Sequence, residues 1–257
     1  MPVAPLQFAK SVAHAGLAWA RRWPAPCLVC HSWCAGGLCE ACRARFAPPR
    51  HRCVRCGLAL AEAGSPCGAC SLHAPPMART VVALDYAFPW DRLIARFKFA
   101  HAPELASVLV RPLADHLGPL LATSDELRPD LLLPVPLSPR RLRERGYNQA
   151  WELARRLARE LGLPAQADGL QRWRETPAQT TLDAAARRAN LRDAFVVHPR
   201  LASRLAGRHV ALVDDVMTTG ATLATAADLL LRSGAREVSA WALARTPAPS
   251  RPDRPAH

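Results

Sequence analysis

Eight of the nine cysteines stand in four C-x-x-C pairs: Cys27/Cys30, Cys39/Cys42, Cys53/Cys56 and Cys67/Cys70. All nine, Cys34 among them, fall between residues 27 and 70, and none follows. The spacing lets two thiolates on a tight turn converge on one tetrahedral Zn²⁺. Two pairs close one site, so the eight paired cysteines predict two structural zinc sites. Disulfides are the competing reading. The odd count argues against them. So does the leading segment, whose short apolar run meets Arg21, Arg22 and Trp23 before any small-residue cleavage site. Eight and ten residues separate the pairs that would share a site, which suits a hairpin closing each one. Sequential pairing, 27/30/39/42 and 53/56/67/70, is therefore favoured; spacing leaves a cross-braced arrangement open. Gly57 follows Cys56 and Gly68 follows Cys67, where they would let backbone N–H groups turn toward sulfur. Cys34 reads as a bystander and His31 as a loop histidine.

So small a segment, poor in apolar residues, draws its folding free energy from the metal. Arg43, Arg45, Arg50, His51, Arg52 and Arg55 cluster between the second and third pairs. They form either ordinary solvated surface or a nucleic-acid contact face.

The pattern outside the cysteines is different. Residues 6–20 read as a short Ala-rich helix, stopped by Pro24 and Pro26, and Ser71–Ala78 reads as a linker. Val81–Tyr86 predicts a strand. Pro89–Phe99 and Glu104–Leu121 predict helices, the second carrying Leu105, Leu109, Leu113 and Leu117 four residues apart. Asp130–Val135 is the continuous apolar run of a buried parallel strand. Asn148–Leu161 is amphipathic, with Ala150, Leu153, Ala154, Leu157 and Leu161 on one face and Gly162 and Pro164 as stops. Ala194–Val197, His209–Val213 and Glu237–Ala244 predict strands, and Ala221–Ser233 a helix capped by Gly234. Strands alternating with helices argue for an α/β fold with a parallel sheet.

With 50% hydrophobic and 21% charged residues among 257, a wholly disordered chain is excluded. No apolar run reaches the roughly 18 residues of a membrane-spanning helix, so no membrane insertion and a cytoplasmic location are expected. The net charge is +13, with 34 Lys+Arg against 21 Asp+Glu, and only Lys10 and Lys98 are lysines.

The segment 209–222, HVALVDDVMTTGAT, carries the chemistry. An apolar strand ends in two acids, then a loop of small residues enters a helix. Ligands of open α/β sheets sit beyond the carboxyl ends of strands. Such a loop offers backbone N–H groups and the positive end of a helix dipole to a phosphate. Gly220 permits close approach, and Thr218, Thr219 and Thr222 offer hydroxyl donors. Lysine is absent, so this is no Walker loop. Asp214 and Asp215 would repel each other and a phosphate, and make sense as acceptors for a ribose diol or holders of a divalent cation.

This segment resembles the phosphoribosyl-pyrophosphate (PRPP) signature of type I phosphoribosyltransferases. Residues 131–154 (LLLPVPLSPRRLRERGYNQAWELA) and 176–195 (TPAQTTLDAAARRANLRDAF) resemble two segments of the ComF (competence-protein F) family, which also carries an N-terminal double zinc ribbon. The chain departs in having Ala186 before Arg187 and Arg188, where relatives often show an acid. The resemblance spans about Cys27 to Thr246. It implies a phosphoribosyltransferase-like α/β domain at 80–246 after a double zinc ribbon at 27–72, with a helical and basic segment at 1–26 and a disordered tail at 247–257. It implies that Asp214 and Asp215 bind the ribose hydroxyls with Mg²⁺ bridging ribose and pyrophosphate. Thr218, Thr219, Gly220, Ala221 and Thr222 would hold the 5′-phosphate. The turn Pro136–Arg140, opened by Pro136, Leu137 and Ser138, would be the pyrophosphate loop. Residues 174–190 correspond to a mobile loop, from which Arg187 and Arg188 would meet pyrophosphate as catalytic cations.

Two functions follow from the resemblance. One is PRPP-dependent transfer of ribose 5-phosphate to an unknown base or amine. The other is a role in DNA uptake, with single-stranded DNA and other DNA-uptake proteins as partners and PRPP or a nucleotide as a regulatory ligand. Tyr147, Trp151 and Trp173 are candidate base-stacking residues, or packing. A transcription regulator is disfavoured, since no helix-turn-helix pattern is visible. The charge distribution bears on the choice. Eight thiolates and two Zn²⁺ bring the formal +13 to about +9. The excess in the larger domain falls in 138–192, with 12 cations and 6 acids, around the expected pyrophosphate and closing loops.

Overall fold

The computed structural model describes residues 24–62, 66–172 and 194–248. The expected helix at 6–20, most of the tail, Trp173 and the loop with Arg187 and Arg188 lie outside the described residues. The chain divides into two compact units between Pro48 and Pro49.

In the first unit, β1 (Pro24–Pro26) pairs antiparallel with β2 (Trp33–Ala35), and α1 (Glu40–Phe46) follows. Cys39 precedes α1 and its sulfur accepts the Cys42 N–H at 3.4 Å, so one cysteine also caps the helix.

The second unit opens on the turns around Cys53 and Cys56 and on α2 (Gly68–Leu72). Then come β3 (Arg79–Asp85), α3 (Trp90–Phe99), α4 (Ala106–Thr123), β4 (Leu131–Pro134), α5 (Pro139–Arg145) and α6 (Gln149–Leu161). A small hairpin of β5 (Leu170–Arg172) and β6 (Phe195–Val197) follows, then α7 (Pro199–Ala202), β7 (His209–Met217), α8 (Ala221–Arg232) and β8 (Glu237–Arg245). The main sheet is parallel, in the order β3-β8-β7-β4. Its two inner strands are covered on both faces and read as nearly unbroken apolar runs. Successive residues of a strand face opposite sides. Val210 and Leu212 of β7 and Val238, Ala240 and Ala242 of β8 accordingly share one core with Leu223, Ala226, Ala227 and Leu230 of α8. Helices α4 and α6 pack on each other and on the sheet. Leu105, Leu109, Leu113 and Leu117 are all buried, as their spacing predicts; on α6, Leu161 stays partly exposed while the other four face residues are buried.

Two expectations are corrected. First, β7 runs through the acids to Met217 instead of ending at Val213. Its neighbour β8 is equally long and keeps pairing with it, Asp214↔Ala242 and Met217↔Arg245. Second, Ser71–Ala78 is not a slack linker: α2 enters it, Met77 is fully buried, and Ala78 N–H donates to Val238 at 2.9 Å. Gly57 turns the Leu58 N–H toward the Cys56 sulfur, as expected, and has a further role. Its N–H donates to the Cys53 carbonyl, φ is +68°, and a Cβ there would stand 2.4 Å from Val82 Cγ2. The glycine is required by close approach of this turn to β3.

Candidate functional site

The cysteines gather into two groups, Cys27/Cys30/Cys39/Cys42 and Cys53/Cys56/Cys67/Cys70, with all four sulfurs of each within 4.8 Å of one another. Pairing is sequential, not cross-braced. Cys30 and Cys39 sulfurs are 3.6 Å apart, and Cys56 and Cys67 sulfurs 3.7 Å. A disulfide needs about 2.05 Å. Tetrahedral zinc with Zn–S near 2.3 Å puts sulfurs about 3.8 Å apart, so the residues present fit that ion. The protonation pattern agrees. Burial opposes ionisation of Cys27, but N–H donors of Cys30, Cys39 and Val29 outweigh it and bring the thiol to about 6. Burial and the neighbouring sulfurs push Cys42 up to about 12, and burial with Cys56 and Cys67 raises Cys70. Four thiolates crowd at a cost that a divalent cation removes. Cys34 and His31 lie outside both groups.

The basic cluster beside the cysteines is largely engaged within the protein. Arg43 pairs with Glu40 at 3.0 Å, Arg50 and Arg52 both hold Asp85 at 2.9 and 2.8 Å, and Arg55 donates to the Ala78 carbonyl at 2.9 Å. Tyr147 is likewise a packing residue: its hydroxyl donates to the Phe97 carbonyl and its ring meets Phe97 at 5.7 Å.

The second unit holds an open cleft of about 160 Å³ at the carboxyl ends of β4 and β7. It forms because β4 stops first. Pro134 pairs with Val213, and β7 then runs on past it. Asp214 and Asp215 therefore project where Val135, Pro136 and Leu137 turn away, and all five line the cleft. Asn148 fixes that turn by donating to the Val135 carbonyl at 3.1 Å while its Oδ1 caps α6. Ser138 is buried and caps α5, accepting the Arg141 N–H. Thus Pro139 and Arg140, expected in a turn, begin a helix.

Past Met217 the chain turns through Thr218 and Thr219, both exposed, to Gly220 at φ +80°. A Cβ at Gly220 would stand 2.5 Å from Met217 Cε, and the left-handed backbone favours glycine besides. Thr219 Oγ1 accepts the Ala221 N–H at 3.3 Å, and Thr222 reaches the cleft from the first turn of α8.

Burial and the adjacent Asp215 push Asp214 up to about 8, although Lys98 works against the rise. Lys98 Nζ lies 3.0 Å from Asp215 Oδ2. Together with Arg141, Arg145 and Arg172 it gives the cleft that holds the acids a cationic wall. Arg145 is further ordered by the Phe99 ring at 5.1 Å and by Gln149 at 2.9 Å. Sequence reasoning missed these cations as site residues. The rarity of lysine was a usable signal, since Lys98 is the one lysine among the described residues.

An acid pair, a small-residue loop entering a helix and a cationic wall, at the carboxyl ends of a parallel sheet, define a phosphoribosyltransferase-like protein. The phosphoribosyl transferase domain family matches residues 148–255. A DNA utilization protein, YhgH, of Escherichia coli O157:H7 is 39% identical over 90% of this chain and 97% of its own length. Competence protein F of Haemophilus influenzae is 35% identical over 81% of this chain and 90% of its own. The chain belongs to this ComF family. A solved purine phosphoribosyltransferase from Pyrococcus horikoshii is 18% identical, over 58% of this chain and 94% of its own, with a TM-score of 0.33.

Proposed function

We propose that this chain binds PRPP–Mg in the β4/β7 cleft as a phosphoribosyltransferase-type protein and serves DNA utilization or competence. The observation that carries the reading is Asp214 and Asp215 sharing one cleft with Lys98, Arg141 and Arg145, Lys98 in contact with Asp215. The carboxylates accept the ribose 2′- and 3′-hydroxyls, and the 218–222 loop receives the 5′-phosphate. Magnesium arrives with the substrate and neutralises pyrophosphate charge. Breaking the C1–pyrophosphate bond leaves an oxocarbenium-like centre and needs no protein nucleophile. The protein's part is to hold the ribose and stabilise the departing pyrophosphate. Lys98, Arg141 and Arg145 do this from the wall, with Arg187 and Arg188 as further candidate cations. The cysteine groups at 27–42 and 53–70 are zinc-held structural elements, one in each compact unit. Calorimetry of zinc-loaded protein with PRPP–Mg tests the reading. Binding by wild type, abolished in the Asp214→Asn, Asp215→Asn double variant, is the expected result; equal affinity in both would remove the ribose-site assignment.

The names of the relatives favour a second reading, in which the same fold handles single-stranded DNA and PRPP regulates it. Affinity for a single-stranded oligonucleotide then falls steeply with salt, because counterions are released. A flat salt dependence, or no binding at low salt, contradicts it.

A further inference from the structure

We propose that Arg245 is a positioning residue for the 5′-phosphate loop and that the second four-cysteine centre holds it in place. The inference rests on the reading of residues 218–222 as that loop. Arg245 ends β8, between Asp85 of β3 and Met217 of β7. Its side chain is buried and spans two parts of the second unit. Nε donates to the Cys56 carbonyl at 3.1 Å. On the other side, Nη1 donates to the carbonyls of Met217 (3.3 Å), Thr218 and Thr246 (2.9 Å). Thr246 adds a second clasp, its N–H donating to Met217 at 3.1 Å and its hydroxyl to Thr218 at 3.4 Å.

These carbonyls matter because a trans peptide is planar. Fixing a C=O fixes the next residue's N–H on the opposite side. Holding the Met217 and Thr218 carbonyls therefore aims the Thr218 and Thr219 N–H groups away from Arg245, as a phosphate cradle requires.

The cysteine centre supports this clamp in two ways. Its turn is docked on β3: Thr80 N–H donates to Val54 at 2.7 Å, Thr80 Oγ1 to Arg55 at 2.8 Å, and Gly57 presses on Val82. A turn of this size keeps its shape through the metal. Charge is the second. Among the described residues Arg245 has no carboxylate partner, and a buried guanidinium needs a compensating charge. A filled four-thiolate zinc centre carries −2, and Arg245 sits against it through its bond to the Cys56 carbonyl. Arg245 is thus a partner of the centre that reaches the substrate loop, and partners of this kind change function by roughly 10–100-fold when lost.

The experiment uses the full zinc-loaded chain and Arg245→Met and Arg245→Lys. The probes are ribose 5-phosphate, which needs the loop, and pyrophosphate–Mg, which needs the opposite wall. Zinc content and amide exchange of residues 217–222 are read in parallel. Arg245→Met should lose roughly tenfold or more in ribose 5-phosphate affinity, keep pyrophosphate–Mg affinity, and exchange faster at 217–222 but not in β4. Arg245→Lys should recover part of the affinity. Equal losses for both probes, or unchanged exchange, would overturn the proposal. If Arg245→Met does not fold, wild-type protein stripped of zinc decides: exchange must rise at 217–222 while β4 stays protected, and a uniform or absent change refutes the link. If wild type binds neither probe but its loop still loosens on zinc removal, the coupling stands and the PRPP reading falls. If wild type binds ribose 5-phosphate and the loop ignores zinc and Arg245, the reverse holds.

Discussion

At the scale of single residues, the acid pair is the centre of the account. Burial and Asp215 raise Asp214 to about 8, above the range of an unfolded aspartate, so its proton is held at neutral pH. A ligand that needs the carboxylate must displace that proton. Affinity for PRPP–Mg should therefore climb with pH, by up to about tenfold per unit, and level off above about 8. Calorimetry across this range checks it; an affinity that falls with rising pH contradicts it. Lys98 opposes the raised value from beside Asp215. Lys98→Met should shift the profile to higher pH and lower affinity at pH 7 by on the order of tenfold, with Lys98→Arg intermediate. An unshifted profile would assign Lys98 to surface charge alone. The acids and the TTGAT loop were legible because their chemistry is local, a strand, two carboxylates and a glycine in one short run. Lys98, Arg141 and Arg145 were not recognised as site residues. Their meeting with the acids depends on how distant parts of the sheet come together, and no local pattern encodes that.

At the scale of elements, periodicity carried the helices and inner strands well, since core-facing leucines must repeat at the helical period. The end of β7 was misjudged for a definite reason. Hydropathy drops at Asp214, but strand length is set by the neighbouring β8, which continues to Arg245. The second demand on Gly57 was not legible, because it comes from contact with Val82 on another element. Gly57→Ala places a methyl into that contact at φ +68°. It should destabilise the second unit by about 1–3 kcal/mol. Chemical denaturation measures this, and a change within a few tenths of a kcal/mol would show that the turn is free to lift from β3.

At the scale of the molecule, the two cysteine centres belong to different compact units. Native mass spectrometry should find two zinc ions per chain. Stripping them should lower the melting temperature of the second unit, because its centre is docked on the main sheet; an unchanged melt would make that centre an appendage. The sequence disclosed two four-cysteine groups and a parallel α/β sheet, and left the basic cluster near the cysteines open between solvated surface and nucleic-acid contact. Folding ties Arg43, Arg50, Arg52 and Arg55 to partners within the protein. In the second unit, part of the positive charge instead gathers in one cleft with Asp214 and Asp215. The claim that this cleft is built for a phosphoribosyl polyphosphate is tested most directly by a structure of the zinc-loaded chain with PRPP–Mg. The account predicts the ribose diol on Asp214 and Asp215, the 5′-phosphate on the N–H groups of the 218–222 loop, and the pyrophosphate facing Lys98, Arg141 and Arg145. A ligand bound elsewhere, or in this cleft with its phosphates away from that loop, would contradict it.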